Sequence, residues 1–154
     1  MDARRSVQLW LTTAMLSEPI GNLEDTGKIV CTPPQTSVAE AAALMLSNRV
    51  SAVLVVENDS LAGIFTEHDV VARVIVAGLD PAAVQLGDVM TRGPLTVTPE
   101  TSLGHALVVM HEHGIRHLPV LRDGKPIGMV GARDALDPAL EDFISEEVRR
   151  KSFL

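Results

Sequence analysis

Residues 34–45, Pro-Gln-Thr-Ser-Val-Ala-Glu-Ala-Ala-Ala-Leu-Met, return 65 positions later as residues 99–110, Pro-Glu-Thr-Ser-Leu-Gly-His-Ala-Leu-Val-Val-Met. The Thr-Ser pair is helix-start chemistry. Ser37 with Glu40 spells a capping box, in which each side chain satisfies a backbone N–H that the helix leaves unpaired. Behind it Val38, Ala41, Ala42 and Met45 fall on one helical face, and Leu103, Ala106, Leu107 and Met110 repeat that face.

Working outward, the same offset holds without a gap from Thr32 to Val71. Val55 falls on Val120, Gly63 on Gly128 and Asp69 on Asp134, while Val53 with Leu118, Ile64 with Met129 and Phe65 with Val130 match in kind. The apolar runs Ala52 to Val56 and Leu118 to Leu121 are too short for helices and rich in β-branched residues, which makes them strands. Asn58-Asp59 and Asp123-Gly124 are hairpin-turn residues, and a second strand follows each. That strand ends near Thr66 or Gly131, where another helix begins. With a short strand ahead of each Pro, the unit reads β-α-β-β-α, stated twice, and the fold class is α+β. One such unit exposes too much of its surface to stand alone, so the two copies are expected to pack their sheets together about a pseudo-two-fold axis.

The chain then divides into an N-terminal helix and loop (1–28), a first repeat (29–79), a connector (80–93), a second repeat (94–137) and a C-terminal helix (138–154). In that last segment Leu140, Phe143, Ile144 and Val148 recur at helical spacing. Ala14-Met15-Leu16 is set opposite Asp88-Val89-Met90, with a longer loop following it. Arg4 and Arg5 ahead of Val7, Leu9, Trp10 and Leu11 resemble the start of an export signal, but Gln8, Thr12 and Thr13 interrupt the run, and an amphipathic helix is the better reading.

Composition narrows the function classes. Of 154 residues 46% are hydrophobic, with three Phe, one Trp and no Tyr, so the core is aliphatic. A formal net charge of −7 without a basic run argues against a nucleic-acid binder held by phosphate contacts. No apolar stretch approaches the roughly 20 residues of a membrane-spanning helix. Cys31, the single cysteine, can form neither an internal disulfide nor a cysteine zinc site, which suits a cytoplasmic protein. His105, His111, His113 and His117 cluster in the sequence, but their spacing points them to different faces, so no metal site is expected. No Walker-type loop and no Gly-x-Ser-x-Gly elbow is present, and no catalytic set stands out, so no enzyme is expected.

Several stretches resemble the CBS (cystathionine beta-synthase) domain. They are Asp88-Val89-Met90-Thr91, Thr96-Val97-Thr98-Pro99, and Ile115-Arg116-His117-Leu118-Pro119-Val120 followed by Gly128 and Asp134. The first half repeats them with Thr32-Pro33-Pro34-Gln35-Thr36-Ser37 and Gly63-Ile64-Phe65-Thr66-Glu67-His68-Asp69. The resemblance covers about residues 29 to 137 and implies a CBS pair, or Bateman module, with two clefts between the repeats. It implies a regulatory ligand, an adenine nucleotide such as AMP, ADP or ATP, and no other cofactor.

At Thr66-Glu67-His68-Asp69 a carboxylate in the first turn of a helix can accept from the vicinal hydroxyls of a ribose, and the helix N-terminus favours a phosphate nearby. Thr66 and Asp69 also have the spacing of a capping box, and one Thr can serve both ends. Val53 and Leu54 are expected to line the cleft for the base. The resemblance implies that Arg116, beside His117, reaches across to the phosphate and that Arg133 is used similarly; the planar Arg fork suits two phosphate oxygens. The pseudo-symmetric cleft holds Asp134, with Gly131 in place of Thr66 and Ser51 and His68 in place of the two arginines, and is expected to be the weaker site. Two other readings stay open: a structural dimerisation module with vestigial clefts, and an S-adenosylmethionine sensor, whose cationic ligand gains nothing from Arg116 and Arg133. Excess apolar surface at Val70, Val71, Val74 and Ile75 of one helix and at Leu136 and Leu140 of the other predicts a homodimer, with an effector protein as a further partner.

Overall fold

The computed structural model describes residues 14, 16–23, 28–131 and 149. The expected N-terminal and C-terminal helices, and the helix after Gly131, fall almost wholly outside these residues.

The first repeat opens with a short strand β1 (Cys31–Thr32) and helix α1 (Val38–Asn48). The capping box is complete: Ser37 Oγ accepts from the Glu40 amide at 3.1 Å and the Ser37 amide donates to Glu40 Oε2 at 3.0 Å. Strands β2 (Ala52–Glu57) and β3 (Ser60–Thr66) form a hairpin, and helix α2 (Glu67–Asp69) runs on as a π-helical turn over Val70–Ile75. The segment read as a bare connector holds a short helix, α3 (Leu86–Val89), and a strand, β4 (Thr91–Arg92). The second repeat follows with α4 (Leu103–His113), β5 (His117–Arg122) and β6 (Lys125–Gly131).

The two repeats agree residue by residue. Ala52 pairs with Thr66 and Val55 with Gly63, and 65 residues on His117 pairs with Gly131 and Val120 with Gly128. Even the register slip recurs, between Val55 and Val56 and again between Val120 and Leu121. Sheet order is β1-β2-β3-β4 in one sheet and β5-β6 in the other, with Val97 bridging Val120 where β1 pairs with β2 in the first repeat.

Side chains alternate across a strand, and here both faces of the hairpin are used. Val53, Val55 and Phe65 face a core with Val38, Ala41 and Met45 of α1. Ala52, Leu54 and Ile64 face the other way and meet Met129 of the second repeat. That shared layer joins the repeats, as the β-α-β-β-α reading required. A second core gathers Leu103, Ala106, Leu107 and Met110 of α4 with Leu118, Val120 and Val130.

The segments ahead of the two repeats are exchanged. Ile20 and Gly21 donate to the carbonyls of Thr101 and Pro99 in the second repeat, both at 2.9 Å. Leu86 and Gly87 donate to Thr36 and Pro34 in the first, also both at 2.9 Å. Ile20 and Leu16 complete the core of the second repeat, and Leu86, Val89 and Met90 that of the first. The counterpart of the α3 segment is therefore Pro19 to Leu23 and not Ala14-Met15-Leu16, because it is the Pro19–Ile20–Gly21 backbone that occupies the matching place beside Pro99–Ser102.

Strand β4 lies against β3 at Gly63 and Ile64, and only glycine permits the approach. A Cβ on Gly63 would sit 2.6 Å from Met90 Sδ and 2.7 Å from the Thr91 carbonyl oxygen. The sulfur can swing away but the backbone oxygen cannot. Gly63→Ala is expected to cost about 1–3 kcal/mol by overpacking, read as a lower urea midpoint, with faster amide exchange along Thr91–Arg92. An unchanged midpoint would show that β4 is not held where it lies.

Candidate functional site

Strand β3 ends at Thr66, whose backbone is still extended (φ −115°, ψ 166°) while the next residue is helical. Thr66 Oγ1 accepts from the Asp69 amide at 3.2 Å and the Thr66 amide donates to Asp69 Oδ2 at 3.0 Å. The capping box weighed against ligand binding is thus formed, and it occupies one carboxylate oxygen. The other, Oδ1, lies 3.4 Å from Arg73 Nε, and the Asp69 side chain keeps 13% of its surface exposed. Arg73 extends further, its Nη1 donating to the Val89 carbonyl at 2.9 Å.

One hydrogen bond leads from this corner to the second repeat. The Glu67 amide donates to the Ser51 carbonyl at 2.9 Å. Ser51 Oγ in turn pairs with His117 Nε2 at 2.6 Å, across 66 residues of chain. His117 is the first residue of β5, and the exposed Arg116 immediately precedes it. Thr66, Asp69, Ser51 and His117 therefore belong to one corner where the repeats meet, with Arg116 next to it in the chain.

The remaining site residues fall differently. Ser51 was assigned to the second cleft and His117 to the first, yet they share a hydrogen bond, because β2 and β5 begin side by side. Val53 and Leu54 are fully buried; neither offers surface to a base, since Val53 faces the α1 core and Leu54 the layer between repeats. His68 is exposed in the first turn of α2. Arg133 and Asp134 lie outside the described residues. Arg73 was missed, although its i,i+4 spacing from Asp69 on a helix was a readable signal.

Other reactive groups add little. Partial burial pushes the Cys31 thiol up from its ordinary value, away from the thiolate a nucleophile needs. His105, His111 and His113 are exposed on α4, and among the described residues no three metal-binding side chains converge. Among them, too, no helix is long and apolar enough to cross a membrane.

The CBS domain family model matches residues 20–76 and 86–141, two copies that open at the exchanged segments. The chain belongs to the CBS-domain family. It is a CBS pair whose two repeats are both covered by that match. It is 34% identical over 139 residues to the mitochondrial CBS domain-containing protein CBSX3 of Arabidopsis thaliana, covering 87% of this chain and 67% of that protein. It is 44% identical over 98 residues to the meiotically up-regulated gene 70 protein of Schizosaccharomyces pombe, covering 63% of this chain but only 13% of that one. Among solved structures, an uncharacterised conserved protein from Pyrococcus horikoshii superimposes with a TM-score of 0.73 at 34% identity, over 80% of this chain and 93% of that one.

The Ser51–His117 contact is the polar tie between the repeats at this corner. Ser51→Ala is expected to cost about 0.5–1.5 kcal/mol in urea unfolding. A double-mutant cycle with His117→Ala should return a coupling of the same size; additivity of the two would remove the tie.

Proposed function

We propose that this CBS pair is a regulatory module, not an enzyme, which binds an adenine nucleotide, AMP or ATP, at the corner built on Thr66 and Asp69. The observation that carries the reading is the continuous contact from Asp69 and Thr66 through Glu67 and Ser51 to His117. It runs from a carboxylate suited to ribose hydroxyls to the residue next to Arg116, the cation of the other repeat that this reading assigns to the phosphate. Arg133 is the second phosphate partner in this reading. The pseudo-symmetric cleft, with Gly131 in place of Thr66, is the weaker site. The base rests on groups at the rim, since Val53 and Leu54 are covered.

Titration calorimetry on the full chain tests this. AMP or ATP should bind the wild type, and Asp69→Ala and Arg116→Ala should each weaken binding by about tenfold or more, as loss of a charge-assisted hydrogen bond implies. Binding of S-adenosylmethionine in place of both nucleotides, indifferent to Arg116→Ala, would shift the ligand class. Absence of binding by all three would leave a dimerisation module with vestigial clefts.

A second observation favours a homodimer. On the turns after Asp69, Val71, Ile75, Val76 and Leu79 are all exposed, Val76 to 77%, while Val74 between them is buried in the core. A stripe of that kind on a helix without a partner marks an interface, and two-fold pairing is the commonest solution. Sedimentation at micromolar concentration should give a dimer for the wild type and a monomer for Val71→Glu/Ile75→Glu; a wild-type monomer would end this reading.

A further inference from the structure

We infer that Arg73 is a positioning residue that aims the Asp69 carboxylate and ties its occupancy to the segment joining the two repeats. The inference rests on the reading of Asp69 as the ribose-binding group.

Asp69 Oδ2 is engaged by the Thr66 amide, so Oδ1 is the oxygen that remains for a ligand, and it is against Oδ1 that Arg73 Nε lies at 3.4 Å. The same guanidinium donates through Nη1 to the Val89 carbonyl at 2.9 Å. Val89 ends helix α3, and the last carbonyls of a helix have no partner within it. Arg73 supplies one, as Arg92 does for Gly87 at 2.7 Å. An ordinary i,i+4 ion pair would stop at Asp69 and be of little consequence at a surface. This one continues into an element 16 residues further along the chain.

The guanidinium is planar and rigid. Nε and Nη1 cannot move independently, so a ligand hydroxyl that shares Oδ1 with Nε also alters the hold on Val89. Residues 86–90 complete the first repeat's core and lead, through β4 at Gly63, into the second repeat. Any change at Val89 is therefore felt where the repeats are connected. Arg73 also stands in the π-helical turn Val70–Ile75, where the Val76 amide reaches back to the Val71 carbonyl at 2.9 Å. Single π turns inside helices are frequent at functional sites. With 45% of its side-chain surface exposed, Arg73 has room to move.

The experiment combines amide hydrogen exchange at Met90, whose N–H donates to Leu86 at 2.8 Å, with calorimetric titration of AMP into the full chain. Arg73→Gln should speed Met90 exchange and weaken AMP by about tenfold. Asp69→Asn, without any ligand, should also speed Met90 exchange although it touches neither Val89 nor Leu86. In the wild type AMP should change Met90 exchange; in Arg73→Gln it should not. Arg73→Lys, which retains the charge without the fork, should restore part of the affinity and none of the AMP response at Met90. A purely structural Arg73 would change Met90 exchange and leave AMP affinity and the AMP response intact, which overturns the inference, as does Met90 exchange indifferent to Asp69→Asn. If the wild type takes up no AMP, the ligand reading fails by itself. The ligand-free Asp69→Asn and Arg73→Gln exchange rates then decide whether the tie from Asp69 to Val89 exists.

Discussion

The rest of the structure depends on the β2–β3 hairpin having no free face. Val53, Val55 and Phe65 are covered by the α1 core and Ala52, Leu54 and Ile64 by the layer that includes Met129. Fully burying an aliphatic side chain is favourable by about 1.5–3 kcal/mol; the first set is buried between α1 and residues 86–90, but the second is closed only with Met129 of the other repeat. The requirement that the second repeat lie against the first places β2 and β5 with their first residues together. That juxtaposition joins Ser51 to His117 across the repeats.

At that helix start one carboxylate serves two purposes. Asp69 stabilises the helix by accepting from the Thr66 amide, and this leaves its second oxygen oriented and only slightly exposed. A carboxylate carries about four lone-pair positions, so capping and ligand recognition are not exclusive. The cap removes rotamer freedom that a ligand would otherwise have to freeze. The capping interpretation and the binding interpretation of Thr66-x-x-Asp69 thus describe the same geometry.

What could be read in the residues was local or periodic chemistry. The helix-start serines, the hairpin turns and the apolar run of β2 all come from neighbours a few positions apart, and the duplication exposed them twice. The errors have the same origin. An apolar run such as Val53-Leu54 does not say whether either face is open, and here both are closed by partners far away in the chain. The contact of Arg73 with Val89 depends on where α3 settles, which no local rule gives. The exchanged segments were hidden by a slip of register: Pro19 to Asn22 match Gln85 to Asp88 at an offset of 66, one more than the repeats themselves. A one-residue shift is enough to conceal so short a match.

The exchange of Ile20 and Leu86 has a consequence for how the chain is made. The first repeat lacks part of its core until Leu86 to Met90 exist, and Ile20, ahead of β1 in the chain, docks on Thr101. At about 5–20 residues per second on the ribosome, the 81 residues from Ile20 to Thr101 take roughly 4–16 s to appear. Through that interval the residues that share a core with Leu16 and Ile20, Leu103 and Leu118 among them, have yet to be made. The core of the first repeat has all its parts once Met90 is made, whereas that of the second joins Leu16 and Ile20 to residues from Leu103 onward, so its closure is the step that waits longest.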